Sequence, residues 1–275
     1  MGNRLFLFSQ LIENYFRFGR EIWIPGFHEY HKFFESTKNK RFYRFPVGNL
    51  DIPNPFSKID TFHAFNRISK VFYHIKFIKF FKVLKSYECE NTNIFEIIND
   101  KTIKVVLFNG FIFHQNFLNL QNSFNSVKKM FSPSINYLNL IEDPINFLRS
   151  KSKIVVGVLI RQTDYREWNQ GKCFFTSIEY KNILIRIEQL YPKQDMSFFI
   201  ATDEEQNEEI FKDLKTFIRV GHPIENLYSL SCCDILIGPS SSYVGWASLY
   251  GKVPLFTIQS PNDSPQLSDF ILHYS

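Results

Sequence analysis

The stretch KIVVGVLIRQTDY, residues 153–165, sets an apolar run of strand length directly before a cluster of charged and polar residues. Valine, isoleucine and leucine dominate residues 153–160, a composition typical of a buried β-strand. Three similar runs follow, at residues 197–202, 234–238 and 253–258, with helical patterns such as residues 177–190 between them. Strands that alternate with helices indicate a parallel, doubly wound α/β sheet.

The first half of the chain has a different texture, with more helical periodicity and fewer β-rich runs. Helical patterns are predicted at residues 4–19, 28–35, 59–86, 118–131 and 134–148. Short strands are predicted at residues 21–24 and 102–109, and a loop at residues 36–55. We therefore place a domain boundary near residue 150, which divides the chain into domains of residues 1–150 and 151–275.

Length and charge limit the classes of function. A chain of 275 residues, 44% of them hydrophobic, can bury the cores of about two small domains. Its 32 basic and 27 acidic residues give a net charge of +5 that is spread along the chain. This modest charge favours an anionic small ligand and argues against dedicated nucleic-acid binding.

The expected location is the cytoplasm, because the N-terminus lacks the apolar region and cleavage site of a signal peptide. No apolar run approaches the roughly 20 residues needed to span a bilayer. The four cysteines, Cys89, Cys173, Cys232 and Cys233, form neither a CxxC pair nor a disulfide framework, so reduced thiols are expected.

Residues 59–86 combine aromatic side chains with five lysines, from Lys70 to Lys85. One interpretation is a helix that binds a membrane surface or an acidic partner. The other is a packed helix whose lysines extend from the apolar face into solvent. The lysines fall on more than one face, which favours the second interpretation and leaves peripheral membrane association as an alternative.

Three loops follow predicted strands and carry the candidate site residues: 161–165 with Arg161 and Asp164, 201–205 with Asp203, and 238–242 with Ser240, Ser241 and Ser242. Parallel sheets bind ligands at the carboxyl ends of their strands, where helix N-termini present N–H groups. Each residue has an ordinary alternative, such as a surface ion pair, a helix cap or an acidic helix start. Their order on successive strands favours a shared site.

Arg161 offers a planar guanidinium that suits phosphate oxygens. A bound diphosphate can be neutralised by a metal held by paired carboxylates, or by fixed cations and N–H donors. The sequence has no Asp-x-Asp pair, so we predict a metal-independent diphosphate site. A helix beginning near Tyr243 would add backbone donors to it.

At these residues the chain resembles the α-1,2-fucosyltransferase family, glycosyltransferase family 11, and its relatives. Residues 159–165, LIRQTDY, are similar to the family's His-x-Arg-Arg-x-Asp-Tyr, and residues 240–247, SSSYVGWA, to its Ser-Ser/Thr-Phe-Ser-Trp-Trp-Ala. Residues 2–6, GNRLF, resemble its Gly-Asn-Gln/Arg-Leu/Met-Phe. The resemblance implies the GT-B arrangement, in which two Rossmann-like domains face each other across a cleft.

The resemblance also implies an activity, which is the inverting transfer of L-fucose from GDP-fucose to a glycan hydroxyl without a metal or other cofactor. Domain 1–150 would then lie on the acceptor side, and domain 151–275 would bind the nucleotide sugar. Arg161 would hold the β-phosphate, Asn3 would lie by the donor phosphate or sugar, and Ser240, Ser241 and Ser242 would contact the diphosphate. Asp203 matches the Thr-Asp that ends a middle strand in related fucosyltransferases, and we expect it to bind the nucleotide sugar.

A carboxylate could accept the acceptor proton, and Asp164 and Glu167 are the candidates, with Asp164 equally able to be a structural partner of Arg161.

The chain departs from the family at four motif positions, where it has Leu159 for His, Gln162 for the second Arg, Val244 for Ser and Gly245 for the first Trp. It also begins at the Gly-Asn loop, without the strand that precedes this loop in the family. A catalytically degenerate protein of the same fold that binds a nucleotide or sugar is therefore the alternative function.

Overall fold

The computed structural model describes residues 1–23, 27, 29–38, 44–46, 67, 71, 81–85, 94–109 and 123–272. The chain divides into two compact units. One unit comprises Asn3–Ser132, and the other combines Met1–Gly2 with Pro133–Ser275. Because the boundary between the units falls between Ser132 and Pro133, the second unit starts before the predicted boundary near residue 150.

In the first unit, helix α1 (Gly2–Phe18) confirms the predicted N-terminal helix. Its buried face packs into an aromatic cluster in which Phe8 contacts Phe27 and Phe131, with ring centroids 5.4 Å and 5.3 Å apart. Phe34 extends the cluster, 5.4 Å from Phe27 and 5.5 Å from Phe131. These four phenylalanines therefore supply hydrophobic core.

Two small sheets follow in the same unit. Strands β1 (Ile22–Trp23) and β2 (Arg44–Phe45) pair antiparallel, and β3 (Phe81–Lys85) and β4 (Val105–Asn109) pair in parallel. The unit also contains helices α2 (Ile94–Asn99) and α3 (Phe124–Met130). The strand predicted at residues 102–109 is confirmed as β4, while β2 lies inside the stretch that we predicted as loop.

The structure contradicts the helix predicted at residues 28–35 and the last part of the helix predicted at residues 59–86. Residues 28–35 contain a single 3-10 turn, His31–Phe33, which ends because Phe34 is extended, with φ −115° and ψ 135°. Within residues 59–86, the described Arg67 and Val71 are helical, as predicted, whereas Phe81–Lys85 is strand β3. The strand forms there because its pairing with β4 outweighs the helical periodicity. Most of residues 59–80 lie outside the described residues. No amphipathic helix therefore continues through Lys82 and Lys85, as the membrane-surface interpretation required.

Among the described residues, no helix is long and apolar enough to cross a bilayer.

The second unit is built on five parallel strands in the order β7-β6-β5-β8-β9. The strands are β5 (Ile154–Ile160), β6 (Met196–Thr202), β7 (Thr216–Val220), β8 (Ile235–Pro239) and β9 (Leu255–Ile258). Four helices accompany them, namely α4 (Leu138–Arg149), α5 (Ser177–Leu190), α6 (Pro223–Leu230) and α7 (Ser242–Gly251). The predicted doubly wound α/β sheet is confirmed, with the strand order typical of nucleotide-binding folds.

Strand β7 and helix α6 are the elements of this unit that we did not predict. Strand β7 is an edge strand whose residues are half-exposed or exposed, and Arg219 interrupts its apolar run. Its hydrophobic pattern is weak for that reason. By contrast, the inner strands β5 and β6 are buried almost throughout.

Helix α4 belongs with this sheet. Its carbonyl oxygens at Leu140, Ile141 and Leu148 accept hydrogen bonds from Arg219, Ser229 and Ser197 respectively. These contacts explain why the second unit begins before residue 150.

Register aligns the ends of the central strands. Strand β5 pairs with β6 from Ile154 opposite Met196 to Ile160 opposite Thr202. The residues that follow these strands, Arg161 and Asp203, therefore emerge side by side at the carboxyl edge of the sheet.

Candidate functional site

The candidate site lies at the carboxyl edge of the second unit's sheet, where the strand order reverses between β5 and β8. Doubly wound sheets bind ligands at this switch point, because the loops after the two strands diverge there. Here β5 leads into Arg161, and β8 leads through Ser240 and Ser241 into α7. The structure thus brings the first and third predicted loops together.

Arg161 makes contacts with both loops. Its Nε and Nη2 donate to the two carboxylate oxygens of Asp164 at 2.9 Å and 2.6 Å, which is a bidentate ion pair. Its Nη1 lies 3.5 Å from Ser241 Oγ, on the loop after β8. One edge of the guanidinium therefore faces Asp164 and the other faces the start of α7.

The charges of this pair are fixed by its surroundings. Desolvation lowers the pKa of Arg161, but the Asp164 bond and the nearby Asp203 charge outweigh it and leave the pKa raised. The hydrogen bonds from Arg161 hold the pKa of Asp164 below its ordinary value despite some desolvation. Asp164 is consequently ionised throughout the physiological range and is a poor proton acceptor.

Tyr165 joins the two loops beneath Arg161. The guanidinium carbon of Arg161 lies 4.7 Å from the centroid of the Tyr165 ring, a cation–π contact. The hydroxyl of Tyr165 donates to the carbonyl oxygen of Ser240 at 2.7 Å. Burial raises the pKa of Tyr165, so the phenol stays neutral and keeps its donor hydrogen. The ring therefore limits the movement of Arg161 relative to the Ser240 loop.

Asp203 braces the loop that carries Arg161. Its carboxylate accepts a hydrogen bond from the backbone N–H of Gln162 at 2.9 Å and from the hydroxyl of Thr163 at 2.7 Å. Both oxygens are thus engaged by the adjacent loop. The structure places Asp203 as a positioning residue, while its predicted donor contact stays a prediction.

We expect Asp203→Ala to lower the free energy of unfolding by about 1–3 kcal/mol, because the Gln162 amide and the Thr163 hydroxyl lose a charged acceptor. Urea denaturation followed by circular dichroism measures this change. Asp213→Ala is the matched control, since it removes an exposed carboxylate that pairs with Lys181 at 2.7 Å. Equal losses in both variants would contradict the bracing role.

The serine loop forms the cap of a helix. Ser241 is the N-cap of α7, and its hydroxyl accepts from the backbone N–H of Tyr243 at 3.2 Å. Ser242 is the first helical residue, and Ser240 is exposed. The helix predicted near Tyr243 is confirmed, and its N-terminal N–H groups lie beside Arg161.

Gly2 packs against Ser242, the first residue of α7. A Cβ on Gly2 would lie 2.5 Å from the carbonyl oxygen of Ser242 and 2.8 Å from its Oγ. Glycine is therefore required by close backbone approach at this position. Asn3 follows it as an exposed residue of α1 in the other unit, and its predicted donor contact stays a prediction.

Two motif departures, Leu159 near the end of β5 and Gln162 in the loop that follows, are buried. Leu159 is 6% exposed and lies 3.1 Å from the position that a Cβ on Gly238 would take. Gln162 is 4% exposed, donates to the carbonyl oxygen of Phe175 at 2.8 Å, and accepts from Gln206 at 2.9 Å. The side chain of Gln162 thus stabilises the loop. Because Gln162 carries no charge, the guanidinium of Arg161 is the cation that residues 161–165 place beside Ser241.

Our sequence reasoning missed the roles of Tyr165 and Trp168, which stack with ring centroids 5.1 Å apart at an angle of 22°. Their spacing of three residues within one loop was the available signal. It was weak, because aromatic side chains are abundant throughout this chain. Among the described residues, no group of three or more His, Cys, Asp or Glu side chains is placed to hold a metal ion.

No protein-family model matches the sequence, and no curated protein matches it at a significant level. A solved structure is similar, namely an arginine-to-lysine mutant of Arabidopsis thaliana FUT1 in complex with GDP, with a TM-score of 0.61 and 11% sequence identity. The match covers 98% of this chain and 71% of that chain. The chain therefore has a mixed α/β, GT-B-like fold of the kind found in this fucosyltransferase. This similarity does not assign the chain to glycosyltransferase family 11.

Proposed function

We propose that this protein is a glycosyltransferase that takes its sugar from a GDP-sugar, and specifically that it transfers L-fucose from GDP-fucose to a glycan hydroxyl. The observation that carries the proposal is the position of Arg161, between Asp164 and the N-terminus of α7 at the switch point of the sheet. The GT-B-like fold supports it, because the similar FUT1 structure is a complex with GDP.

The donor diphosphate is proposed to bind between Arg161 Nη1 and the first turn of α7. A guanidinium and helix N–H groups together favour an anion, through charge and through the helix dipole. We also propose that the hydroxyls of Ser240, Ser241 and Ser242, which form the loop and the first residue of α7, contact the diphosphate. This arrangement would neutralise a diphosphate with the chain's own groups, so we propose binding that needs no metal.

The proposed reaction is a single inverting displacement. An acceptor hydroxyl oxygen forms a bond to the anomeric carbon while the bond from that carbon to the β-phosphate oxygen breaks. The leaving GDP takes the bonding electron pair, and its growing negative charge is stabilised by Arg161 and the α7 N–H groups. A well-placed donor of this kind typically contributes about 3–4 kcal/mol to the transition state.

The acceptor proton needs a carboxylate, and we propose Glu167 over Asp164 for this step. Both oxygens of Asp164 accept from Arg161, and its lowered pKa makes it a weak base. Glu167 lies three residues further along, with an exposed side chain. Asp164 is then the positioning partner of Arg161. The sequence had allowed it either this role or that of the proton acceptor.

A GDP- or sugar-binding protein without catalysis is the second candidate function. Leu159 and Gln162 favour it, because the structure buries both side chains at positions where the family has His and Arg. Donor turnover separates the two candidates. Release of GDP from GDP-fucose, with or without an acceptor, would support the transferase, whereas binding without release would support the second candidate.

A donor screen tests the nucleotide. We expect GDP and GDP-fucose to raise the thermal midpoint of unfolding by several degrees at 1 mM in the presence of EDTA, since a ligand stabilises the state that it binds. UDP and UDP-sugars should leave the midpoint unchanged. An equal shift with UDP compounds would contradict the GDP assignment, and a shift that appears only with added divalent metal would contradict metal independence.

A further inference from the structure

Trp168 presents a large apolar ring at the surface, close to Arg161. Its side chain is 49% exposed, although it stacks on Tyr165 with ring centroids 5.1 Å apart. Tyr165 is itself 4% exposed and is tied by its hydroxyl to the carbonyl oxygen of Ser240. The buried ring therefore supports the indole from beneath and fixes it at the edge of the site.

The backbone after Trp168 adopts an unusual conformation. Asn169 and Gln170 have φ angles of 52° and 59°, and Gly171 has a φ angle of 73°. Residues with a side chain rarely occupy this left-handed region, and two in succession are uncommon. Outliers of this kind cluster at functional sites, where the surrounding structure maintains them. Here the three residues turn the chain immediately behind the exposed indole.

The indole lies within reach of a reaction at Arg161. The guanidinium carbon is 4.7 Å from the Tyr165 centroid and the indole is 5.1 Å from it, so the two groups are at most about 10 Å apart. The Nη1 edge of Arg161 faces Ser241, whereas its other edge faces Asp164. Glu167 and Trp168 follow Asp164, which holds the second edge of the guanidinium, by three and four residues.

We infer that Trp168 is a stacking platform for the acceptor sugar, with the exposed Glu167 carboxylate beside it to receive a sugar hydroxyl. A pyranose ring has an apolar C–H face that packs on an aromatic ring and a polar rim that bonds to carboxylates. Trp168 and Glu167, which are exposed and consecutive in the chain, offer both kinds of surface. This inference rests on the proposed function, because it names the acceptor part of that site.

The test uses the methyl glycosides of galactose, glucose, mannose and N-acetylglucosamine as probes, titrated against the full chain with and without GDP. Saturation-transfer NMR should detect binding of at least one glycoside to the wild-type protein. We expect Trp168→Ala to weaken that binding about tenfold and Trp168→Phe to retain most of it. Ile178→Ala, which removes another exposed apolar side chain, should leave it unchanged.

The affinity for GDP distinguishes this inference from a nucleotide role for the indole. Trp168→Ala should bind GDP within twofold of wild type, and a larger loss would assign the ring to the nucleoside and overturn the inference. Glycoside binding that is absent in wild type, or unchanged in Trp168→Ala, would overturn it as well. If a glycoside bound through Trp168 while GDP bound nowhere, the platform would stand and the proposed transferase would fall.

Discussion

Replacing Arg161 with alanine is expected to weaken GDP binding about 10- to 100-fold, the largest effect of any single substitution in the proposed site. The reason is that a hydrogen bond to a charged group contributes about 1.5–3 kcal/mol. Arg161 is also the cation that faces Ser241 at the start of α7. Isothermal titration with GDP measures the loss, and circular dichroism checks that the variant is folded.

Arg166→Ala is the matched control for this measurement. Arg166 lies five residues further along, forms a bidentate pair with Glu204 at 2.9 Å and 2.6 Å, and is about half exposed. It carries the same charge in the same segment but faces a different carboxylate. We expect its removal to change GDP affinity less than threefold. A loss below tenfold for Arg161→Ala, or similar losses for both variants, would contradict the phosphate role of Arg161.

Much of the sheet and part of the site could be predicted from the sequence, because both depend on local patterns. The buried runs that became β5 and β6 are nearly continuous in apolar residues, and parallel strands end at one edge of a sheet. Arg161 and Ser241 could therefore be expected at the same edge. Their contact follows from topology, since β5 and β8 are neighbours at the switch point.

What could not be predicted depends on tertiary contacts. Strand β3 has helical periodicity in the sequence but pairs with β4, a partner some twenty residues away along the chain. The bracing role of Asp203 depends on the register of β5 and β6, which sets it beside the backbone N–H of Gln162. If β6 were shifted by one residue along β5, the Asp203 carboxylate would no longer lie beside this N–H group.

Trp246→Ala is expected to lower the free energy of unfolding of the second unit by about 3–5 kcal/mol. The indole is fully buried, and removing a buried aromatic ring costs its transfer free energy and leaves a cavity. Trp246 lies in α7, 6.3 Å from the ring of Tyr250, which in turn contacts Tyr228 of α6 at 4.8 Å. Urea denaturation of the variant measures the loss.

Trp168→Ala is the control for this loss, because it removes the same side chain from a half-exposed position. Its effect on the free energy of unfolding should stay below about 1 kcal/mol, as for most surface substitutions. Ser241 caps α7 and Ser242 is its first residue. Trp246→Ala should therefore also weaken GDP binding at temperatures where the variant is still folded. A loss below about 1 kcal/mol in Trp246→Ala would show that the packing of α7 does not depend on Trp246. Unchanged GDP affinity in a measurably destabilised Trp246→Phe variant would show that the donor site does not depend on the packing of this helix.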